Sequence, residues 1–142
     1  MVLTKMRKIL RTISFLVLIV SFSCEKQGLI VNCSTCTADE PFSTDLMIKL
    51  DTRYNKGVVI NVYEGNLEDS VLYTSINGYT DKTSVPVLLS KKYTVTATYA
   101  INGIHCIAVD SATPRVRYEK NQCNNPCYFV YDTSIDLRLK QL

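Results

Sequence analysis

The chain has 142 residues, with 16 lysines and arginines against 13 acidic residues and a formal charge of +3 at pH 7. Its first 23 residues hold four of the basic residues and no acidic one, so the other 119 residues (142 minus 23) carry 12 minus 13 charges, or about −1. This balance excludes a phosphate-binding surface of clustered lysine and arginine, and with it nucleic acid as a partner. The remaining length is the common size of one domain.

The first predicted element is an export signal. A basic start precedes an apolar run over residues 13–22, which is too short to span a hydrocarbon core of ~30 Å as a helix. Cys24 follows the small residue Ser23, and this arrangement resembles the lipobox of bacterial lipoproteins. The resemblance implies a signal peptide over 1–23, acylation of Cys24 with palmitate-type chains, and attachment to the outer membrane through that lipid. Free secretion is the alternative, because residues 21–23 also fit the small-x-small rule of another signal peptidase.

The chain after the signal divides into a tether and a β domain. Residues 24–43 are polar and contain Cys33, Cys36 and Pro41, which predicts a lipidated tether with a pinned segment. From 44 to 142, runs that alternate apolar and polar residues predict strands in a single domain. The predicted strands cover 45–51, 58–64, 71–76, 83–89, 93–101, 104–110, 114–120, 127–132 and 134–139.

The turns between these runs indicate the fold class. Asn102-Gly103 separates the runs 93–101 and 104–110, and this dipeptide favours a two-residue type I′ turn of a hairpin. Pro86 cannot donate a hydrogen bond to a neighbouring strand, which predicts a sheet edge or a bulge there. Many short strands with turn residues between them predict an antiparallel, all-β sandwich of about seven to nine strands. An up-and-down barrel is the alternative.

Three runs of the sequence resemble known β-sandwich modules. Residues 58–65, 71–74 and 85–97 are similar to the Ig-like carboxypeptidase-regulatory-like and prealbumin-like sandwiches. Leu89-x-x-x-Tyr93-x-Val95 resembles a tyrosine corner, which implies that the Tyr93 hydroxyl bonds to upstream backbone. Over the whole mature length the chain resembles small Bacteroidetes-type envelope lipoproteins. The resemblance implies a structural or adhesive role and transfers no catalytic residue.

The cysteines after Cys24 predict disulfide bonds. Cys33-x-x-Cys36 and Cys123-x-x-x-Cys127 offer four sulfurs, which a zinc ion could also use. An oxidising compartment favours disulfides over zinc, so we predict no metal and no cofactor. A bridge within the first pair would be strained. Links between the early and late pairs are therefore expected, in either of the two connectivities. Cys106 is left over, and its place in a strand predicts a buried free thiol that packs as a small hydrophobe.

The residues that could carry chemistry or binding are few. His105 and Cys106 could form the base and nucleophile of a thiol or hydrolytic enzyme, but neighbours on a strand point to opposite faces, so we predict no enzyme. The ligand candidates are four tyrosines near turns, whose aromatic faces could gather at one end of the sandwich: Tyr54, Tyr63, Tyr73 and Tyr79. We expect a cell-envelope lipoprotein with a non-catalytic binding or structural role. The alternative is an accessory module that binds protein, peptide or glycan.

Overall fold

The described residues form nine strands and two short 3₁₀ turns. The computed structural model describes residues 31–51, 53 and 57–140; the predicted signal peptide, Cys24, Tyr54 and most of the turn before Gly57 lie outside the described residues. No helix in this described part is long and apolar enough to cross a membrane. The strands are β1 (Ser43–Lys49), β2 (Val58–Glu64), β3 (Leu72–Gly78), β4 (Lys82–Leu88), β5 (Tyr93–Ile101), β6 (Ile104–Ala112), β7 (Arg115–Glu119), β8 (Cys127–Tyr131) and β9 (Ser134–Asp136). All nine predicted strands are confirmed, with ends that differ by at most three residues.

The strands build a β-sandwich, as predicted. One sheet has three strands in the order β4-β1-β9, the other has four in the order β3-β2-β5-β6, and β7 and β8 form a separate hairpin. One strand pair departs from the predicted antiparallel arrangement, because β1 and β9 run parallel. Parallel neighbours need a long connection rather than a tight turn, and most of the domain lies between these two strands. The separate sheets also rule out the barrel alternative.

The apolar faces of the two sheets form the core. Along β5, Tyr93, Val95, Ala97 and Tyr99 face the core and are buried. Thr94 and Thr96 point to the opposite face of the strand and are buried too. The other fully buried aliphatic side chains come mainly from β1, β2 and β4 and from the end of the chain: Leu46, Ile48, Ile60, Val62, Val87, Ile135 and Leu137. Pro86 lies on β4, at the edge of the three-stranded sheet, where its missing donor costs no ladder bond.

The turn chemistry explains two of the chain reversals. Asn102 and Gly103 both have positive φ angles, of 50° and 81°, which is the conformation that a type I′ turn requires. The predicted β5–β6 hairpin is therefore confirmed, with Ile101 directly opposite Ile104. Ser90 also has a positive φ, of 63°, and its N–H donates to the Pro114 carbonyl at 2.7 Å.

Two buried tyrosines tie the sheets together through their hydroxyl groups. The Tyr93 hydroxyl accepts a hydrogen bond from the Leu88 N–H at 3.1 Å, which is the bond that the tyrosine-corner resemblance implied. At the other end of β5, the Tyr99 hydroxyl accepts from the Asp51 N–H at 3.1 Å and donates to the Leu137 carbonyl at 2.9 Å. Tyr99 thus joins β5 to the chain just beyond β1 and β9.

Tyr99→Phe tests this tie. The variant keeps the ring in the core but leaves the Asp51 N–H and the Leu137 carbonyl without their phenol partner. Because buried unpaired polar groups are costly, we expect the free energy of unfolding to fall by about 1 to 3 kcal/mol, measured by urea denaturation followed by circular dichroism. The matched control is Tyr131→Phe at an exposed position, which should change stability by less than about 0.5 kcal/mol. Equal losses in both variants would contradict the assignment.

Candidate functional site

A charged cleft lies at one end of the sandwich. It has a volume of about 670 Å³ and lies where β1 and β9 end and β4 begins. Backbone bonds fix these three chain segments, since the Leu50 N–H donates to the Asp81 carbonyl at 2.8 Å and the Leu137 N–H donates to the Lys49 carbonyl at 2.9 Å. Leu50 and Leu139 give the cleft apolar walls. Its charged lining consists of Lys49, Arg53, Lys82, Arg138, Lys140, Asp51, Asp81 and Asp136.

Two Asp-x-Arg clasps with the same geometry line this end cleft. In the first, Asp51 accepts the Arg53 backbone N–H at 3.1 Å, the Arg53 Nε at 2.9 Å and the Arg53 Nη2 at 2.6 Å. In the second, Asp136 accepts the same three donors of Arg138, at 3.2, 2.8 and 2.6 Å. Each aspartate therefore holds its own arginine in a bidentate grip. The Arg53 Nη2 also donates to the Leu139 carbonyl at 3.2 Å, which ties the first clasp to the segment after β9.

Both clasps keep their carboxylates ionised. The hydrogen-bonded guanidinium of Arg53 lowers the pKa of Asp51 from 3.8 to about 2, against the opposing effect of burial. The guanidinium of Arg138 lowers the pKa of Asp136 from 3.8 to about 2 in the same way. Asp51 is 8% exposed, whereas the Asp136 side chain is 46% exposed. The first clasp is therefore a structural ion pair, and the second faces solvent in the cleft.

A second feature is the cystine lobe, which we define as residues 33–37, β7, β8 and the loop between those strands. Cys33 bonds to Cys123 and Cys36 bonds to Cys127, with Cα–Cα distances of 5.7 and 5.5 Å. The predicted linkage of early to late cysteines is confirmed, and the structure selects this connectivity. The Sγ atoms of Cys36, Cys123 and Cys127 lie within 4.8 Å of one another. Sulfurs bonded as disulfides are not the thiolates that zinc requires.

Backbone bonds hold the lobe together as well. The Thr37 N–H donates to the Tyr128 carbonyl at 2.9 Å, and the Tyr128 N–H returns to the Thr37 carbonyl at 2.8 Å. Glu119, which is 7% exposed, accepts the Asn121 N–H at 3.0 Å. Backbone hydrogen bonds in this loop lower the pKa of Glu119. The pinned segment predicted within the tether is thus part of the folded unit, Val31–Leu142.

Cys106 is a free thiol, as predicted, but it is half-buried rather than buried. It packs against the core from β6, and β6 is an edge strand of the four-stranded sheet. A residue on an edge strand has a neighbouring strand on one side alone, which leaves part of its side chain exposed. His105 is exposed, on the face of β6 opposite to that of Cys106. The two side chains are therefore not brought together as a nucleophile and a base.

The tyrosine candidates do not gather at one end. Tyr63 lies at the end of β2 and Tyr73 at the start of β3, and these strand ends pair with each other. Tyr79 follows the far end of β3, where its ring lies over Gly57. A strand of seven residues separates the two positions by about 20 Å, so the expectation of one shared end is wrong for these three. The hydroxyl of Tyr73 already has a partner within the protein, since it donates to the Pro86 carbonyl at 3.0 Å.

The end cleft was missed by sequence reasoning, although a signal for it exists. Asp51-Thr52-Arg53 and Asp136-Leu137-Arg138 repeat the same Asp-x-Arg spacing, the first starting two residues beyond the end of β1 and the second starting at the last residue of β9. An Asp side chain commonly bonds the backbone N–H two residues on, so each triplet predicts a local clasp. Their convergence, however, follows from the parallel pairing of β1 and β9, which no local pattern indicates.

The Asp51–Arg53 clasp predicts a dependence of stability on acid. Because the pKa of Asp51 is about 2 in the folded chain and 3.8 ordinarily, the ion pair stabilises the fold fully above about pH 5 and loses this effect as pH falls towards 2. We expect Asp51→Asn to be less stable than the parent chain at pH 7 and the gap to shrink by pH 2, measured by urea denaturation at each pH. The control is Asp45→Asn, at an exposed position of β1. A gap of the same size at both pH values would contradict the prediction.

The position of Cys106 predicts the thiol reactivity of the oxidised protein. Among residues 31–51, 53 and 57–140, Cys106 is the one free thiol, so a maleimide should add there once before reduction, more slowly than to glutathione. Unfolding without a reductant should speed the reaction, because the core then no longer covers the sulfur. Peptide mapping by mass spectrometry distinguishes this adduct from any at Cys24, and Cys106→Ser should abolish it. Adducts at Cys33, Cys36, Cys123 or Cys127 before reduction would contradict the disulfide assignment.

Comparison with known proteins adds no relative to this geometry. No protein-family model, curated protein or solved structure matches the chain. The resemblance to carboxypeptidase-regulatory-like and prealbumin-like sandwiches and to envelope lipoproteins therefore stays a prediction from the sequence.

Proposed function

We propose that the chain is a lipid-anchored protein of the cell envelope, held at the outer membrane through Cys24, with a non-catalytic binding or structural role. The observation that carries the proposal is the pair of disulfides, Cys33–Cys123 and Cys36–Cys127. Disulfides of this kind persist in oxidising compartments outside the cytosol. The basic start, the apolar run and the cysteine after Ser23 are features of a signal that directs export from the cytosol.

The position of the disulfides supports an anchored protein further. Cys33 follows the predicted lipid attachment by nine residues, since 33 minus 24 is 9. Any pull on a lipid at Cys24 would reach the folded unit first at Val31, whose N–H donates to the Gln122 side chain at 3.2 Å. It would then reach Cys33 and Cys36, where covalent bonds to Cys123 and Cys127 resist it. Hydrogen bonds between Thr37 and Tyr128 would share that load. A short tether that ends in a cross-linked lobe suits a domain held close to a membrane surface.

Two placements support a binding or structural role over a catalytic one. The half-buried Cys106 packs on the core while His105 is exposed on the other face of β6, so this thiol and this imidazole are not placed to act together as nucleophile and base. The second candidate function is an accessory module for a peptide or glycan ligand. The end cleft favours it, because its apolar walls and charged rim are features of small-molecule sites, whereas the separated tyrosines do not.

Mass spectrometry of the mature N-terminus tests the anchor. The full chain is expressed in a Gram-negative host with its own signal, and we expect the mature protein to begin at an acylated Cys24 and to partition into the detergent phase of a Triton X-114 extract. Cys24→Ala should stop this processing while leaving the cysteines of the folded unit unchanged. A mature chain that begins at an unmodified Cys24 and stays in the aqueous phase would show free secretion instead.

A further inference from the structure

Two lysines of the end cleft face each other across neighbouring strands. Lys49 on β1 and Lys82 on β4 are direct partners in the antiparallel register. Like charges in directly opposite positions destabilise a sheet, because their Cβ atoms are about 5 Å apart. Neither ammonium forms an ion pair within 4.0 Å of a carboxylate in the described part of the chain. The folded protein therefore keeps two like charges in directly opposite positions.

One carboxylate offsets part of this repulsion, since beside the hydrogen bond from Arg138 the charge of Lys49 also helps to lower the pKa of Asp136, but that carboxylate is shared with Arg138. On the other side of β1, Asp136 is the register partner of Lys49. Both oxygens of Asp136, however, accept hydrogen bonds from Arg138 at 2.8 and 2.6 Å. The row Lys82, Lys49, Asp136, Arg138 thus contains three cations and one carboxylate.

The charge of the whole cleft has the same sign. Its lining holds five cations and three carboxylates, an excess of two positive charges. The clasp of Arg138 uses its Nε and Nη2, which leaves the donors of Nη1 for another acceptor. Since the clasp fixes the guanidinium, these donors are already oriented, and a ligand would lose little side-chain entropy on binding them.

We propose that the end cleft binds a small organic molecule that carries carboxylate groups. A carboxylate can accept from both ammoniums of Lys49 and Lys82, which converts their repulsion into a bridged site. Leu139, which is half-buried, lines the cleft beside them and can cover part of the carbon skeleton of such a molecule. A cleft of about 670 Å³ has the size range of small-molecule sites rather than that of a single ion. The proposal is independent of the lipid anchor.

The test is a titration of backbone amide NMR signals of the mature chain carrying Cys24→Ala. The carboxylate probe is digalacturonate, its neutral counterpart is lactose, and sodium sulfate represents a simple inorganic anion. We expect saturable shifts with digalacturonate at the amides of residues 49–51, 81–82 and 136–140, which weaken as salt is added. Lactose should cause none. Shifts with sulfate alone, equal shifts with lactose, or no saturable shift with digalacturonate would each overturn the proposal.

Variants then locate the site. Lys82→Gln should weaken the binding of digalacturonate by about fivefold, the effect of removing one exposed charge contact. The matched control is Lys120→Gln, an exposed lysine beside Tyr118 and outside the cleft, which should leave the affinity unchanged. Because Lys82→Gln removes a repulsion, its thermal unfolding temperature should equal or exceed that of the parent chain, so weaker binding would not reflect misfolding. An unchanged affinity in Lys82→Gln would overturn the placement and the proposal with it.

Discussion

The phenol of Tyr99 reaches from the four-stranded sheet to the place where two strands of the other sheet end. There it accepts from the Asp51 N–H and donates to the Leu137 carbonyl, both of which would otherwise lack a partner in a buried environment. Burial raises the pKa of Tyr99, so the hydroxyl keeps the proton that the second bond needs. One side chain therefore bonds to the chain segments after both β1 and β9. Each Asp-x-Arg clasp lies next to one of these bonds, so Tyr99 sets the width of the end cleft together with the backbone bond from the Leu137 N–H to the Lys49 carbonyl.

The opposed lysines of the cleft lower the stability of the sheet, and we attribute their presence to the ligand site proposed there. Elsewhere in the protein, a polar group at a sheet edge is paired. The Asp110 carboxylate accepts the Asp136 N–H at 2.9 Å and so occupies a donor of the edge strand β9. An exposed ion pair, Lys91 with Glu64 at 2.8 Å, places opposite charges together. Lys49 and Lys82 do the reverse, although a glutamate at position 82 would make a favourable cross-strand pair with Lys49. Such local conflicts with otherwise consistent folding rules concentrate where a protein meets a ligand.

The features predicted from the sequence are those that depend on short stretches of chain. The alternation over 93–101 and the positive φ angles favoured by Asn102-Gly103 are local features, and the strand and the turn that they predict are both confirmed. What could not be predicted depends on which strands become neighbours. The parallel pairing of β1 with β9 joins opposite ends of the domain, and the opposition of Lys49 and Lys82 requires the exact register of two strands. Whether Cys106 is buried depends on the edge position of β6, because the pattern along a strand indicates its faces but not its place in a sheet.

The second disulfide to form, whichever of the two it is, contributes less to the stability of the fold than the first. Either one alone closes a loop of about 90 residues, for which the chain-entropy model gives about 4 to 5 kcal/mol. Once the first has formed, the second closes a ring of roughly nine residues made of 33–36 and 123–127, which is worth about 2 to 3 kcal/mol in the same model. The second bond therefore adds less to the equilibrium between folded and unfolded chain than to the local rigidity of the cystine lobe. Rigidity of the cystine lobe matters most if force enters the domain through the segment that leads into Cys33. A lobe with a single disulfide could rotate about that bond, whereas a lobe with two disulfides transmits the force to β7 and β8.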